Sequence, residues 1–218
     1  MKTKPLKMEK PSYEEISPFF DIAQQLESFA VRSLPFSALY GALFYKKMLN
    51  RELVLAGLRK EDSLLHIGCG SFPYTALYLA ERGYQVEACD YNESAVDSAC
   101  QLIKERGLSS KISVFHKNGL EVDCSLYDAI WLSLNIYPKG KILFHIMKTM
   151  KTESKLIFRN LYKQANKTDN IFSLLNTIGD YRISRVTSSF GTESVMVINK
   201  SNYKAEQGMV NEEAFALA

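Results

Sequence analysis

The stretch Leu64-Leu-His-Ile-Gly-Cys-Gly-Ser-Phe-Pro-Tyr-Thr-Ala-Leu77 decides how this chain folds. It opens as a short apolar strand over 63–67, turns through glycines, and enters a helix over 74–82 that Gly83 ends. Gly68 and Gly70 leave room for a ligand against the backbone, where any Cβ would intrude. The amides of such a turn, and of the helix start behind it, favour an anionic group such as a carboxylate. Tight strand–helix turns also use glycine for steric reasons alone, so the ligand reading needs support from further along the chain.

The same alternation continues downstream. A strand over 85–89 leads to Asn92, placed to cap a helix that carries Ala95, Val96, Ala99, Leu102 and Ile103 on one face and stops at Gly107. Strands follow over 112–116 and 127–134, the second continuously apolar as a strand buried on both faces is. An amphipathic helix over 139–151 (Ile142, Leu143, Ile146, Met147, Met150) precedes a strand over 155–161. A helix is expected over 169–178, then strands over 181–189 and 193–200 joined by a turn at Gly191.

Upstream, residues 1–11 read as a loose polar arm. Helical spacing runs over 13–31, and again over 37–56 through Leu39, Tyr40, Leu43, Phe44, Met48, Leu53 and Val54, with Gly57 as the stop. The whole predicts an α/β, doubly wound, Rossmann-like fold. Its seven-stranded, mostly parallel sheet has right-handed crossovers, a terminal antiparallel hairpin and an N-terminal helical addition. Three regions are expected: 1–57 as arm and two helices forming a lid or packing layer, 58–202 as the α/β domain, and 203–218 as a weakly ordered tail.

Asp90 supplies the support that the glycine turn needs. It closes the second strand, twenty residues after Gly70. An acid there accepts both hydroxyl hydrogens of a ribose; its competing use is helix capping beside Asn92. Asn118, just after the third strand, offers a side-chain amide to an adenine edge, or simply forms a turn with Gly119. Trp131 and residues 135–137 lie along and beyond the fourth strand, at the carboxyl edge where open α/β sheets bind ligands. Trp131 there is core or pocket wall. Tyr13, Tyr40 and Tyr45 either line an acceptor pocket or pack. Cys69 has no base partner for thiol chemistry and reads as a small turn residue.

With these residues in place, 63–160 resembles the core of class I S-adenosylmethionine-dependent methyltransferases. The glycine turn resembles that family's first motif, Asp90 its ribose-binding acid and Asn118 its adenine-side position. Tyr127-Asp-Ala-Ile-Trp-Leu-Ser-Leu134 resembles its fourth-strand motif. The resemblance implies S-adenosylmethionine as co-substrate, held by His66, Gly68, Cys69, Gly70, Ser71, Asp90, Tyr91, Asn118, Gly119 and Leu134. It assigns no catalytic residue and no metal. Methyl transfer to a small-molecule acceptor is the activity it implies.

Two positions depart from the pattern. His66 stands where an acid usually helps to hold the methionine amino group, and Phe72 where a third glycine is common. Gly68, Gly70, Pro73 and Thr75 form a Gly-x-Gly-x-x-Pro-x-Thr turn that is similar to nicotianamine synthase-like enzymes, and Arg159 is similar to a residue of that group. That resemblance implies transfer of the aminocarboxypropyl group in place of the methyl. A non-catalytic S-adenosylmethionine-binding protein is the third possibility, and His66 is its argument.

Composition sets the outer bounds. At 218 residues, 46% apolar and 23% charged, the chain is an ordinary globular protein. A net charge of +3, with Lys and Arg dispersed, does not suggest a nucleic-acid partner. No apolar run reaches membrane-spanning length, and the start has no leader-like apolar segment. The four cysteines form no C-x-x-C pair or metal rhythm, so reduced thiols in a cytoplasm are expected. Oligomeric state is left open.

Overall fold

The computed structural model describes residues 45–161, 180–187 and 192–200. The expected arm at 1–11, the helices over 13–31 and 169–178, the beginning of the 37–56 helix, the turn at Gly191 and the tail lie outside those residues.

Helix α1 (Lys46–Ala56) is followed by β1 (Leu64–Ile67), α2 (Tyr74–Glu81), β2 (Val86–Asp90), α3 (Glu93–Glu105), β3 (Ile112–His116), β4 (Ala129–Leu132), α4 (Lys139–Thr149), β5 (Lys155–Leu161), β6 (Tyr181–Thr187) and β7 (Thr192–Asn199). The strands form one seven-stranded sheet in the order β3-β2-β1-β4-β5-β7-β6. Neighbours from β3 to β5 are parallel, and β7 runs antiparallel to both β5 and β6. This is the expected doubly wound sheet with its reversed hairpin. β4 is shorter than predicted at both ends; before it, the Tyr127 hydroxyl donates to Glu87 Oε2 at 2.6 Å, and Asp128 Oδ2 accepts from the Ser63 amide at 2.9 Å.

The central strands are buried on both faces, which is why their sequences do not alternate. On one face Leu65, Ile67, Ile130 and Leu132 pack against α4 through Ile142, Leu143, Ile146 and Met147. On the other, Leu64, Trp131, Ile157 and Met196 pack with Ala76, Leu77 and Leu79 of α2 and with Ala56 of α1. Each helix carries an apolar face that the sheet covers. α3 is also capped as expected, Asn92 Oδ1 accepting from the amides of Ser94 and Ala95 at 3.1 and 3.4 Å.

Helix α1 is turned differently from the apolar list of the sequence. Leu49, Glu52 and Ala56 face inward, while Val54 is 84% exposed. At 3.6 residues per turn, positions 49, 52 and 56 share one stripe and 54 lies opposite.

Candidate functional site

The carboxyl ends of β1, β2 and β4 converge on the glycine turn. Gly68 has φ +75°, and a Cβ built on it lies 2.6 Å from Ile136 Cδ1 and 3.5 Å from Ser133 Cβ. The loop after β4 therefore closes over the turn, and only glycine permits that approach. The amides of Gly68 and Cys69 both donate to the Cys89 carbonyl, at 2.8 and 3.1 Å. The Gly70 amide donates to Asp90 Oδ2 at 2.8 Å. Three of the turn's amides thus have protein partners, which fix the turn's shape.

Asp90 performs the bracing role that competed with ribose binding. Besides Gly70, it accepts the Asn92 amide on Oδ1 at 3.0 Å, tying the turn after β1 to the start of α3. Each carboxylate oxygen retains a second lone pair, so bracing and ligand binding are compatible. Asn118 likewise forms a turn, its Oδ1 accepting from the Leu120 amide at 3.0 Å. Gly119 is buried against β1: a Cβ there would lie 3.0 Å from Ile67 Cγ2. Tyr91 is an exposed aromatic whose carbonyl takes His116 Nε2 at 2.8 Å. Ser71 and Leu134 are half-buried at the same edge. Cys69 is buried, and burial followed by the charge of Asp90 pushes its thiol well above the ordinary range, as befits a turn residue and not a nucleophile.

His66 lies in the middle of β1, buried, with Nε2 2.9 Å from Ser133 Oγ. Its Nδ1 has no partner. Burial and then the charge of Arg159 bring its pKa down to about 3, so the ring is neutral at ordinary pH.

A buried ionic cluster that sequence reasoning missed lies on the same face of the sheet. Glu52 of α1 accepts from Arg159 Nε at 2.9 Å, Arg159 Nη2 at 2.8 Å, Trp131 Nε1 at 3.0 Å and Ser194 Oγ at 2.6 Å. Arg159 Nη1 reaches Thr75 Oγ1 at 3.2 Å, and its Cζ lies 5.8 Å from the Tyr45 ring centroid. Trp131 is therefore core, and Tyr45 packs beside the cluster. The spacing of Glu52 from Leu49 and Ala56 was the available signal.

The family model described as tellurite resistance protein TehB matches residues 55–179, more than half of the chain. L-histidine 2-aminobutanoyltransferase from Yersinia pestis is 29% identical over 116 residues, which are 53% of this chain and 43% of that protein. The aligned part is thus less than half of the relative's length. Among solved structures, a variant of MtNAS in complex with S-adenosylmethionine matches with a TM-score of 0.70 at 18% identity, over 84% of this chain and 75% of that one. An RNA methyltransferase from Salinibacter ruber in complex with S-adenosyl-L-homocysteine matches with a TM-score of 0.57 at 15% identity, over 75% and 97%. At such identities these structures establish the fold. With the family model across the glycine turn, Asp90 and the fourth strand, the chain belongs to the tellurite resistance protein TehB family, a family of S-adenosylmethionine-dependent methyltransferases.

Proposed function

We propose that this chain moves the aminocarboxypropyl arm of S-adenosylmethionine onto an amine of a small-molecule acceptor, releasing methylthioadenosine. The observation that carries the reading is the meeting of Thr75 with Arg159, 3.2 Å apart. With Gly68, Gly70 and Pro73, these are the residues by which the sequence is similar to nicotianamine synthase-like enzymes, and they adjoin at one end of the sheet though 84 positions separate the pair. The neutral ring of His66 supports the same reading, since it replaces the acid that grips the methionine amino group in methyl transfer. The Yersinia pestis relative, named for a 2-aminobutanoyl group and L-histidine, points to an acceptor that bears an amine.

In this reading Gly68, Cys69, Gly70 and Ser71 shape the methionine end and Asp90 takes the ribose. Tyr91, Asn118 and Gly119 surround the adenine, and His66 and Leu134 border the arm. The reaction is an in-line displacement at a carbon next to the sulfonium, which needs positioning and exclusion of water. Region 58–202 would be the transferase domain and 1–57 the cover of its acceptor side. Four cysteines without a disulfide support a reducing, cytoplasmic setting. Among the described residues, no helix is long and apolar enough to cross a membrane.

Methyl transfer to a small-molecule acceptor is the second reading, favoured by the family model over residues 55–179. Incubation with S-adenosylmethionine and a panel of free amino acids, followed by mass spectrometry of the nucleosides, separates the two. Methylthioadenosine without S-adenosylhomocysteine is expected. S-adenosylhomocysteine alone returns the function to methyl transfer.

A further inference from the structure

Lys139 opens α4 at the carboxyl ends of β4 and β5, the edge along which open α/β sheets bind ligands. Its Nζ donates to the carbonyl of Leu134 at 3.1 Å and to the carbonyl of Arg159. Leu134 belongs to the loop whose Ile136 covers Gly68, and Arg159 carries the cluster beside Thr75. The amine thus stands where the two halves of the candidate site meet.

Its surroundings disfavour the ammonium. Burial, and then the Arg159 guanidinium, lower the Lys139 pKa to about 7. The same guanidinium acts on His66, which is neutral and adds no negative charge. Glu52, the acid nearest to that guanidinium, is committed to Arg159, Trp131 and Ser194. Glu193, the buried acid of β7, pairs in register with Asn160 and forms no ion pair with Lys139. A neutral amine has two N–H bonds and one lone pair. The two carbonyls engage two hydrogens, and the lone pair then takes the remaining tetrahedral position.

We infer that Lys139 is the general base that prepares the acceptor amine for attack on S-adenosylmethionine. This inference rests on the amine-acceptor reading above and holds for either transferred group. The acceptor arrives as an ammonium, R–NH3+, and passes one proton to the Lys139 amine. The freed nitrogen lone pair attacks the carbon next to the sulfonium. The carbon–sulfur bond breaks with its electron pair going to sulfur, leaving a neutral thioether. The alkylated product keeps the positive charge on nitrogen, and Lys139 returns its proton to solvent. A neutral Lys139 is favoured as the general base because its affinity for protons is matched to a neutral working pH.

A purely structural Lys139 would staple the loop after β4 to β5 through the two carbonyls, and arginine at that position keeps donors for both but never accepts a proton. The test compares wild type, Lys139→Arg and Lys139→Met for formation of methylthioadenosine or S-adenosylhomocysteine from pH 5.5 to 9, as an order-of-magnitude survey around the lysine's shifted value. Wild-type kcat should rise with pH through about 7. Both variants should lose roughly 100-fold or more of kcat and lack that limb, while binding S-adenosylmethionine within about threefold of wild type by calorimetry. The ε-carbon resonance of Lys139, read in 13C-lysine-labelled wild type, should titrate with a midpoint of about 7. That measurement decides the matter where a variant does not fold. Turnover within about threefold of wild type in Lys139→Arg, or a wild-type midpoint above about 10, overturns the inference while leaving the transferase reading in place. Wild type that forms neither thioether with any amine overturns the reading and the inference together.

Discussion

At the glycine turn, single atoms decide what fits. A Cβ on Gly68 would lie 2.6 and 2.8 Å from two carbons of Ile136, on a backbone with φ +75°. Gly68→Ala should lower stability by about 1–3 kcal/mol, measured by urea unfolding, from strain and contact together. Ile136→Ala has a packing cost of its own, so the comparison is a cycle: Gly68→Ala should cost less on the Ile136→Ala background than on wild type. An equal cost on both backgrounds would mean that backbone strain is the whole effect. Asp90 has a double duty, and its removal should show in two measurements. Asp90→Ala should lose about 1–3 kcal/mol of stability, because the Gly70 and Asn92 amides lose their acceptor. It should also weaken S-adenosylmethionine binding roughly 30-fold or more if the carboxylate takes the ribose through charge-assisted bonds. A stability loss with affinity unchanged on calorimetric titration would leave Asp90 as a brace only.

Between elements, the bond that matters most is carried by Glu52, which fastens α1 to β4, β5 and β7 at once. Removing one partner of a buried ion pair strands the other, so Glu52→Ala should cost about 3–5 kcal/mol in urea unfolding. Replacing both, as Glu52→Leu with Arg159→Met, should restore part of that loss: no charge is left stranded, while Trp131 Nε1 and Ser194 Oγ still lose their acceptor. Trp131 is the chain's single tryptophan and donates to Glu52, so its emission should change in Glu52→Ala without any added probe. An unchanged spectrum and stability would remove the cluster's claim to hold α1. The elements themselves were legible in the sequence because each signal is local: the apolar period of α3, the Asn92 cap and the continuous apolar run of β4. The cluster was not, because Glu52 meets Trp131, Arg159 and Ser194 across 79, 107 and 142 positions. Only the sheet order brings them together, and a charged residue in a helix reads as solvent-facing until its stripe is known. Lys139 was hidden in the same way: it opens an amphipathic helix, and only the fold brings the carbonyls of Leu134 and Arg159 to its amine.

On the scale of the whole molecule, the sheet buries one titratable ring in an inner strand. β1 has β2 and β4 as neighbours, and His66 feels the charge of Arg159 on β5. The glycine turn and Asp90 could be placed from spacing, but the neutrality of His66 could not, since it comes from burial first and Arg159 second. That neutrality makes global stability depend on pH. In the unfolded chain His66 takes up its proton near 6.5; in the folded one it does so only near 3. Between those values the unfolded state binds more protons, so stability falls as pH drops below about 6.5 and the fall ends near 3. Each pH unit within that window costs about 1.4 kcal/mol for one such group. His66→Gln keeps a polar side chain facing Ser133 and does not titrate. Urea unfolding of both proteins at intervals from pH 7 down to pH 5 should therefore show wild type losing stability faster, by about one proton's worth of slope. Ionisations common to the two proteins cancel in the difference, which isolates His66. Parallel curves would mean that His66 takes up its proton at the same pH folded and unfolded, and the ring's resistance to protonation, on which the aminocarboxypropyl reading leans, would lose its basis.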